Sequence, residues 1–314
     1  MARAFVFPGQ GSQKVGMGQD LAAAFAAARE VFEEVDEALK QPLTRLMFEG
    51  PAEQLILTEN AQPAIMACSM AVVRVLEREG GVDLAQKAAF VAGHSLGEYS
   101  ALCAAGALDI GDTARLLKIR GQAMQMAVPV GQGAMLALMG VDPDEARAIA
   151  DEAAGSGEVC VAANDNAPGQ IVISGSTAAV ERATELAKEA GAKRAVLLPV
   201  SAPFHCALMQ PAADAMDEAL GAVAINAPAV PVMANVTAAP VEDPAEIKRL
   251  LVEQVTGMVR WRECVEQLKA QGVDTLVEVG SGKILAGLAR RIDRELSVVN
   301  VGTPEEVEAF LASL

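Results

Sequence analysis

The chain has 314 residues, 52% hydrophobic and 3% aromatic, with a formal net charge of −16, so it can bury a sizeable core built mostly from Ala, Val, Leu, Ile and Met. That charge argues against nucleic acid as the main partner, no apolar run is long enough for a membrane span, and the apolar start is too short for a secretory signal. Five scattered cysteines (Cys68, Cys103, Cys160, Cys206, Cys264) without C-x-x-C spacing read as reduced thiols of a cytoplasmic protein and exclude an obvious metal site.

A first strand is expected over residues 4–7, running into the glycine-rich loop Pro8-Gly9-Gln10-Gly11-Ser12-Gln13. Such a loop presents backbone N–H groups that could bind phosphate or complete an oxyanion hole. It lacks both the P-loop and the dinucleotide-binding signatures. Alanine-rich helices are expected over 20–39 and 62–79, then a strand over 88–91. That strand leads into Gly93-His94-Ser95-Leu96-Gly97, a Gly-x-Ser-x-Gly run followed by helix-compatible sequence. A strand, a sharp turn and a helix would lift the Ser95 hydroxyl to the apex and set it at a helix N-terminus, where developing negative charge is favoured. The same run also occurs at ordinary glycine-flanked turns.

A serine nucleophile needs a general base, and the chain has only two histidines, His94 and His205. His94 adjoins Ser95, and neighbouring side chains leaving a strand point to opposite faces, so His94 is expected to pack and hydrogen-bond beneath the turn. His205 remains as the base. It lies in Pro199-Val200-Ser201-Ala202-Pro203-Phe204-His205-Cys206, whose prolines predict a stiff loop. Cys206 beside it is an alternative nucleophile.

A further helix over 110–126 carries Arg120, and the βα alternation predicts a layered α/β core with parallel strands. Beyond residue 128 the expected order is strand 134–139, helix 143–153, strands 159–164 and 170–175, helix 177–190 and strand 194–199, a β-α-β-β-α-β unit of ferredoxin-like type. Helices over 211–220, 244–254 and 262–271 and strands over 230–234 and 275–279 return the chain to the first layer. The expected fold is therefore α/β. A large α/β-hydrolase-like domain with a parallel sheet (1–127 and 200–314) is interrupted by a small ferredoxin-like subdomain (128–199), with ligands expected in the cleft between them.

Five motifs in this order, Pro8-Gly9-Gln10-Gly11-Ser12-Gln13, Gly93-His94-Ser95-Leu96-Gly97-Glu98, Arg120-Gly121, Ser201-Ala202-Pro203-Phe204-His205 and Gly280-Ser281-Gly282, resemble the malonyl-CoA–acyl carrier protein transacylases of bacterial fatty-acid synthesis. The acyltransferase domains of polyketide synthases share the pattern, and the resemblance covers essentially the whole chain. It implies transfer of a malonyl group from CoA to the phosphopantetheine thiol of acyl carrier protein through a serine ester, without cofactor or metal, by a cytoplasmic monomer. It also implies roles for matching positions. Ser95 would be the nucleophile and His205 the base. Backbone N–H groups of Gln10 and Leu96 would form the oxyanion hole, and Arg120 would clamp the malonyl carboxylate. Only a planar guanidinium gives a carboxylate two parallel charge-assisted bonds. No acidic triad member is expected; the backbone carbonyl at Gln254 would orient the histidine. Asn164 would line the site. Phe204 matches the malonyl-selecting motif of polyketide acyltransferases, where many bacterial relatives have serine, and its ring would leave little room for an α-methyl branch. Met124, one helical turn after Arg120, shares that wall or simply packs in the core. Basic pairs for an acidic carrier are Lys193-Arg194, Arg260 with Arg262, and Lys283 with Arg290-Arg291. Two rivals are a serine esterase or thioesterase, in which water takes the acyl group, and a non-catalytic acyl-binding protein.

Overall fold

A computed structural model describes residues 2–200 and 202–314; Met1, and Ser201 of the Ser-Ala-Pro-Phe-His run, lie outside the described residues. The first layer begins with β1 (Arg3–Phe7), whose residues Ala4 to Phe7 are all buried. A strand covered on both faces reads as a continuous apolar run rather than an alternating one. Helices α1 (Gln19–Ala24), α2 (Ala26–Leu39), α3 (Leu43–Glu49), α4 (Ala52–Leu55), α5 (Thr58–Gly80) and α6 (Leu84–Lys87) lead to β2 (Phe90–Gly93), α7 (Gly97–Ala104) and α8 (Ile110–Met126).

The single helix expected over 20–39 is two helices. Phe25 is extended (φ −125°, ψ 126°), and its N–H closes α1 on the Leu21 carbonyl. Propensity alone carries no signal for this break, because the flanking alanines favour helix on both sides. The second strand begins two residues later than expected, because Ala88 still closes α6 on the Leu84 carbonyl.

The inserted unit follows the expected order: β3 (Gly133–Met139), α9 (Pro143–Ala153), β4 (Cys160–Ala167), β5 (Gln170–Ser176), α10 (Thr177–Glu189) and β6 (Arg194–Leu197). Its four strands are ordered β4-β5-β3-β6 and all pair antiparallel, the ferredoxin-like arrangement. One face buries Leu136, Leu138, Ile171 and Ile173 against α9 and α10. Alternate residues such as Met135 and Val172 turn the other way, into the main core.

The first layer resumes with α11 (Gln210–Gly221), β7 (Val232–Ala234), β8 (Ala239–Val241), α12 (Pro244–Thr256), α13 (Trp261–Ala270), β9 (Thr275–Val279), α14 (Ile284–Ile292), β10 (Ser297–Val301) and α15 (Pro304–Ala312). Its sheet runs β10-β9-β1-β2-β7-β8, parallel except for β8 at the edge. Two contacts position the cleft between the sheets. Phe7 pairs with Gly93, so the loops after β1 and β2 leave the sheet side by side. The strand β4 is also stitched to the first layer: the Val259 N–H donates to the Ala163 carbonyl and the Asp165 N–H to the Val259 carbonyl, both at 2.9 Å. Among the described residues no helix is long and apolar enough to cross a membrane.

A Cβ on Gly93 would lie 1.9 Å from the Gly97 carbonyl, where α7 begins. Gly93→Ala is therefore expected to lower stability by about 3 kcal/mol or more. Gly287→Ala, which meets no neighbour within 4 Å, should be neutral or stabilising by up to about 1 kcal/mol. Urea unfolding of both variants checks the contrast.

Candidate active site

Ser95 occupies the tight turn between β2 and α7 with φ 54°, a left-handed conformation that is strained for a side chain other than glycine. Three contacts hold it there. The Ser95 N–H donates to Asn235 Oδ1 at 2.7 Å, Asn235 Nδ2 donates to the Gly93 carbonyl at 2.7 Å, and Gln254 Nε2 donates to the Ser95 carbonyl at 3.0 Å. Asn235 follows directly on β7, at the carboxyl end of a parallel strand.

His205 is also left-handed, with φ 60°, and its Nε2 lies 2.8 Å from Ser95 Oγ. Its Nδ1 lies 2.8 Å from the Gln254 backbone carbonyl. A carbonyl only accepts, so Nδ1 carries the proton and the Nε2 lone pair faces the serine. Burial, reinforced by the positive Arg120 nearby, pushes the His205 pKa down to about 3. The ring is therefore neutral around neutrality, as a base must be. Here the carbonyl expected at Gln254 stands where a hydrolase triad has a carboxylate.

Arg120 projects from α8 and is only 2% exposed. Its neighbour Gly121 permits the approach of α8 to the start of α5, since a Cβ there would sit 2.5 Å from Glu59 Cα. Arg120 Nη1 donates to Gln62 Oε1 at 2.8 Å, and Nη2 donates to Gln254 Oε1 at 2.9 Å and to Ser95 Oγ at 3.2 Å. The guanidinium carbon lies 5.7 Å from the Tyr99 ring centroid. Among the described residues Arg120 has no carboxylate in ion-pair contact, and its Nε has no hydrogen-bond partner. A buried guanidinium satisfied only by neutral groups beside a serine hydroxyl is a ready receptor for an anion.

Ser95, His205, Arg120 and Gln62 line a cleft of about 410 Å³ between the two sheets. Gln10, Leu96, Met124, Asn164 and Phe204 line it as well. The Gln10 side chain is fixed by Thr58 Oγ1 at 3.0 Å. Among the described residues no acceptor is bonded to the Gln10 or Leu96 backbone N–H, so both remain available. Met124 is buried, with its sulfur 3.8 Å from Gln62 Nε2. Asn164 keeps a buried Oδ1 without a partner among the described residues. His94 does not reach Ser95: its Nε2 pairs with Asn166 Oδ1 at 2.8 Å, its ring tilts against Trp261, and one side of it lines the cleft. Cys206 is buried, and its thiol donates to the Pro203 carbonyl at 3.1 Å, away from the cleft.

Sequence reasoning did not single out Gln62 or Asn235, nor the side chains of Gln254 and Glu98. Asn235 alone carried a usable signal, its place just after an apolar strand of a parallel sheet. Two of the expected basic pairs are partly neutralised: Arg260 and Arg262 pair with Glu263, Asp165 and Glu266, and Lys283 pairs with Glu306.

A nucleophile elbow, a neutral histidine and a buried arginine at the carboxyl ends of a parallel sheet define a serine acyltransferase type of site. The chain belongs to the acyl transferase domain family, whose profile matches residues 4–301, and it is an enzyme. It is 47% identical to a malonyl CoA-acyl carrier protein transacylase of Bacillus subtilis, covering 99% of this chain and 96% of that protein. It is 48% identical to the Escherichia coli K12 protein of the same name, covering 98% of each. A crystal structure of an acyl-carrier-protein-S-malonyltransferase from Bartonella henselae superposes with a TM-score of 0.97 at 60% identity, covering 100% of this chain and 99% of that one. A malonyl-transacylase in complex with its type II polyketide acyl-carrier protein superposes with a TM-score of 0.96 at 42% identity over the full length of both.

The His205 pKa carries a definite pH dependence. An unfolded histidine titrates near 6.5 and the folded one near 3, so between these values the unfolded chain binds the additional proton. The stability contributed by neutral His205 is complete above about pH 6.5 and is lost as pH falls towards about 3. Acylation of Ser95 should accordingly show no His205 titration between about pH 8 and about pH 5.5. Stopped-flow rates that fall with a midpoint near 6.5 would contradict this.

Proposed function

We propose that this chain transfers a malonyl group from coenzyme A to the phosphopantetheine thiol of acyl carrier protein by a ping-pong route, supplying fatty-acid synthesis. The observation that carries the reading is the buried Arg120 guanidinium, which lacks a carboxylate partner among the described residues and lies 3.2 Å from Ser95 Oγ. A malonyl thioester presents the complementary chemistry: a carboxylate two bonds from the carbonyl under attack. The malonyl-transferring relatives support the same substrate class.

In this reading, Arg120 takes the malonyl carboxylate and sets the thioester carbonyl over Ser95. His205 Nε2 accepts the serine proton as Oγ attacks. The oxyanion meets the Gln10 N–H in the loop after β1 and the Leu96 N–H at the start of α7. Collapse breaks the C–S bond, and His205 returns the proton to the departing CoA thiolate. The carrier's thiol then runs the same steps in reverse: its proton goes to His205, its sulfur attacks the malonyl ester, and Ser95 Oγ leaves with the proton. The Gln254 carbonyl holds the ring throughout. Phe204 and Met124 wall the space beside the malonyl methylene, and Asn164 offers an unpaired acceptor. Residues 128–199 act as the small subdomain that closes the cleft against 1–127 and 200–314. The carrier docks at Lys193 and Arg194, which have no ion-pair partner among the described residues and stand, exposed, just before and at the start of the strand β6 that runs on into cleft-lining Leu198 and Pro199. The enzyme works as a cytoplasmic monomer.

Intact-protein mass spectrometry after brief exposure to malonyl-CoA tests the route. A malonyl adduct is expected on the wild type and not on Ser95→Ala, discharged by carrier protein and not by water. Discharge by water alone would make the protein a thioesterase. Arg120→Ala should lower malonyl transfer at least about a hundredfold while acetyl transfer is kept or gained; unchanged malonyl preference removes Arg120 from the role. Phe204→Ser should admit methylmalonyl-CoA, and steady-state comparison of the two thioesters checks it.

A further inference from the structure

Glu98 lies in the first turn of α7, three residues beyond Ser95, and does not line the cleft. Only 2% of it is exposed, and burial raises its pKa to about 7. A carboxylate is an expensive group to bury without purpose. Its Oε2 accepts two hydrogen bonds, from the Asn235 N–H at 2.9 Å and from Gln254 Nε2 at 2.8 Å. The Gln254 amide thereby has a fixed polarity. Its nitrogen faces the Ser95 carbonyl, which only accepts, and Glu98 Oε2, which accepts when ionised, while its oxygen faces one group that only donates, Arg120 Nη2. A flipped amide would set oxygen against oxygen on one side and N–H against guanidinium on the other.

We propose that Glu98 is a positioning residue: through the Gln254 amide it holds the Arg120 guanidinium in the orientation that receives the substrate carboxylate. The residue never meets substrate. It acts chiefly on recognition of the acyl group: the Gln254 backbone carbonyl that orients His205 does not depend on the amide, and the Ser95 turn, whose carbonyl the amide nitrogen also meets, keeps its two contacts with the Asn235 side chain. The inference rests on the reading of Arg120 as the carboxylate receptor.

Three variants and one control test it. Glu98→Met keeps the volume and removes the acceptor; it should raise the KM for malonyl-CoA at least about tenfold and lower the malonyl-over-acetyl preference, with acetyl transfer changing less than about threefold. Glu98→Gln keeps an acceptor oxygen for Asn235 and Gln254 without the charge, and should retain the wild-type preference. A merely structural role for Glu98 would lower both acyl transfers together in Glu98→Met. Should that variant fail to fold, Glu98→Asp, which withdraws the carboxylate from Gln254, is expected to lose part of the malonyl preference. Wild-type preference in Glu98→Met, or in Glu98→Asp where Met does not fold, overturns the proposal, as does loss of preference in Glu98→Gln equal to that in Glu98→Met. Arg120→Ala run alongside separates the two ideas. If it keeps the malonyl preference, the reading of Arg120 is wrong. If it loses the preference while Glu98→Met does not, that reading stands and the positioning role falls.

Discussion

A guanidinium held out of water, with no carboxylate in direct contact among the described residues, is the constraint around which this cleft is organised. Removing such a charge from solvent costs several kcal/mol unless dipoles replace the lost hydration. Here the replacement comes from neutral amides: Gln62 on α5 supplies one oxygen and Gln254 on α12 another, with the Tyr99 ring face beneath. Three helices must therefore converge at one point. Gly121 lets two of them meet, and Thr58 ties Gln62 and Gln10 into the same network. Neutral partners leave the charge available. A carboxylate in place of either amide would satisfy the arginine internally and close the site to an external anion.

Strain is concentrated on the two residues that face each other. Ser95 and His205 both sit in the left-handed region, at φ 54° and 60°, each costing on the order of 1–3 kcal/mol. The surroundings determine both conformations. Asn235 grips the turn before and at the serine, and the Gln254 carbonyl grips the imidazole. Gln254 thus touches serine, histidine and arginine at once, through its backbone on one side and its amide on the other. The pair at 2.8 Å is held by contacts within the protein, so little reorganisation is left for proton transfer between the two.

How legible this was depends on the kind of information each residue carries. Ser95 declared itself by flanking glycines, His205 by the scarcity of histidine, and Arg120 by resemblance. The inserted unit was readable because 3.6- and 2-residue periods alternate cleanly between residues 133 and 197, and its capped helix Pro143–Ala153 and the helix Ile110–Met126 have the expected bounds. The break at Phe25 was not readable, since local propensity favours helix across it. Beyond Val279 no element was assigned, yet α14, β10 and α15 complete the sheet edge. Gln62, Asn235, Glu98 and the Gln254 amide were invisible for a different reason. An amide or a single carboxylate gains meaning only from neighbours that lie, for the pair Ser95 and Gln254, 159 positions away in the chain.

The stitching of β4 to the first layer bears on how such enzymes can be recombined. Asp165 on that strand is nearly fully buried and receives two donors from the Arg262 guanidinium on α13, while the neighbouring backbone pairs with Val259. The small sheet is thus not an independent cap attached at its two chain ends. Part of its edge belongs physically to the segment around residues 259–262, about a hundred positions further along the sequence. A chimera that exchanges the ferredoxin-like unit at its sequence boundaries alone would leave a buried carboxylate facing a foreign α13. The unit of exchange defined by contacts is discontinuous, the inserted fold together with that short distant segment.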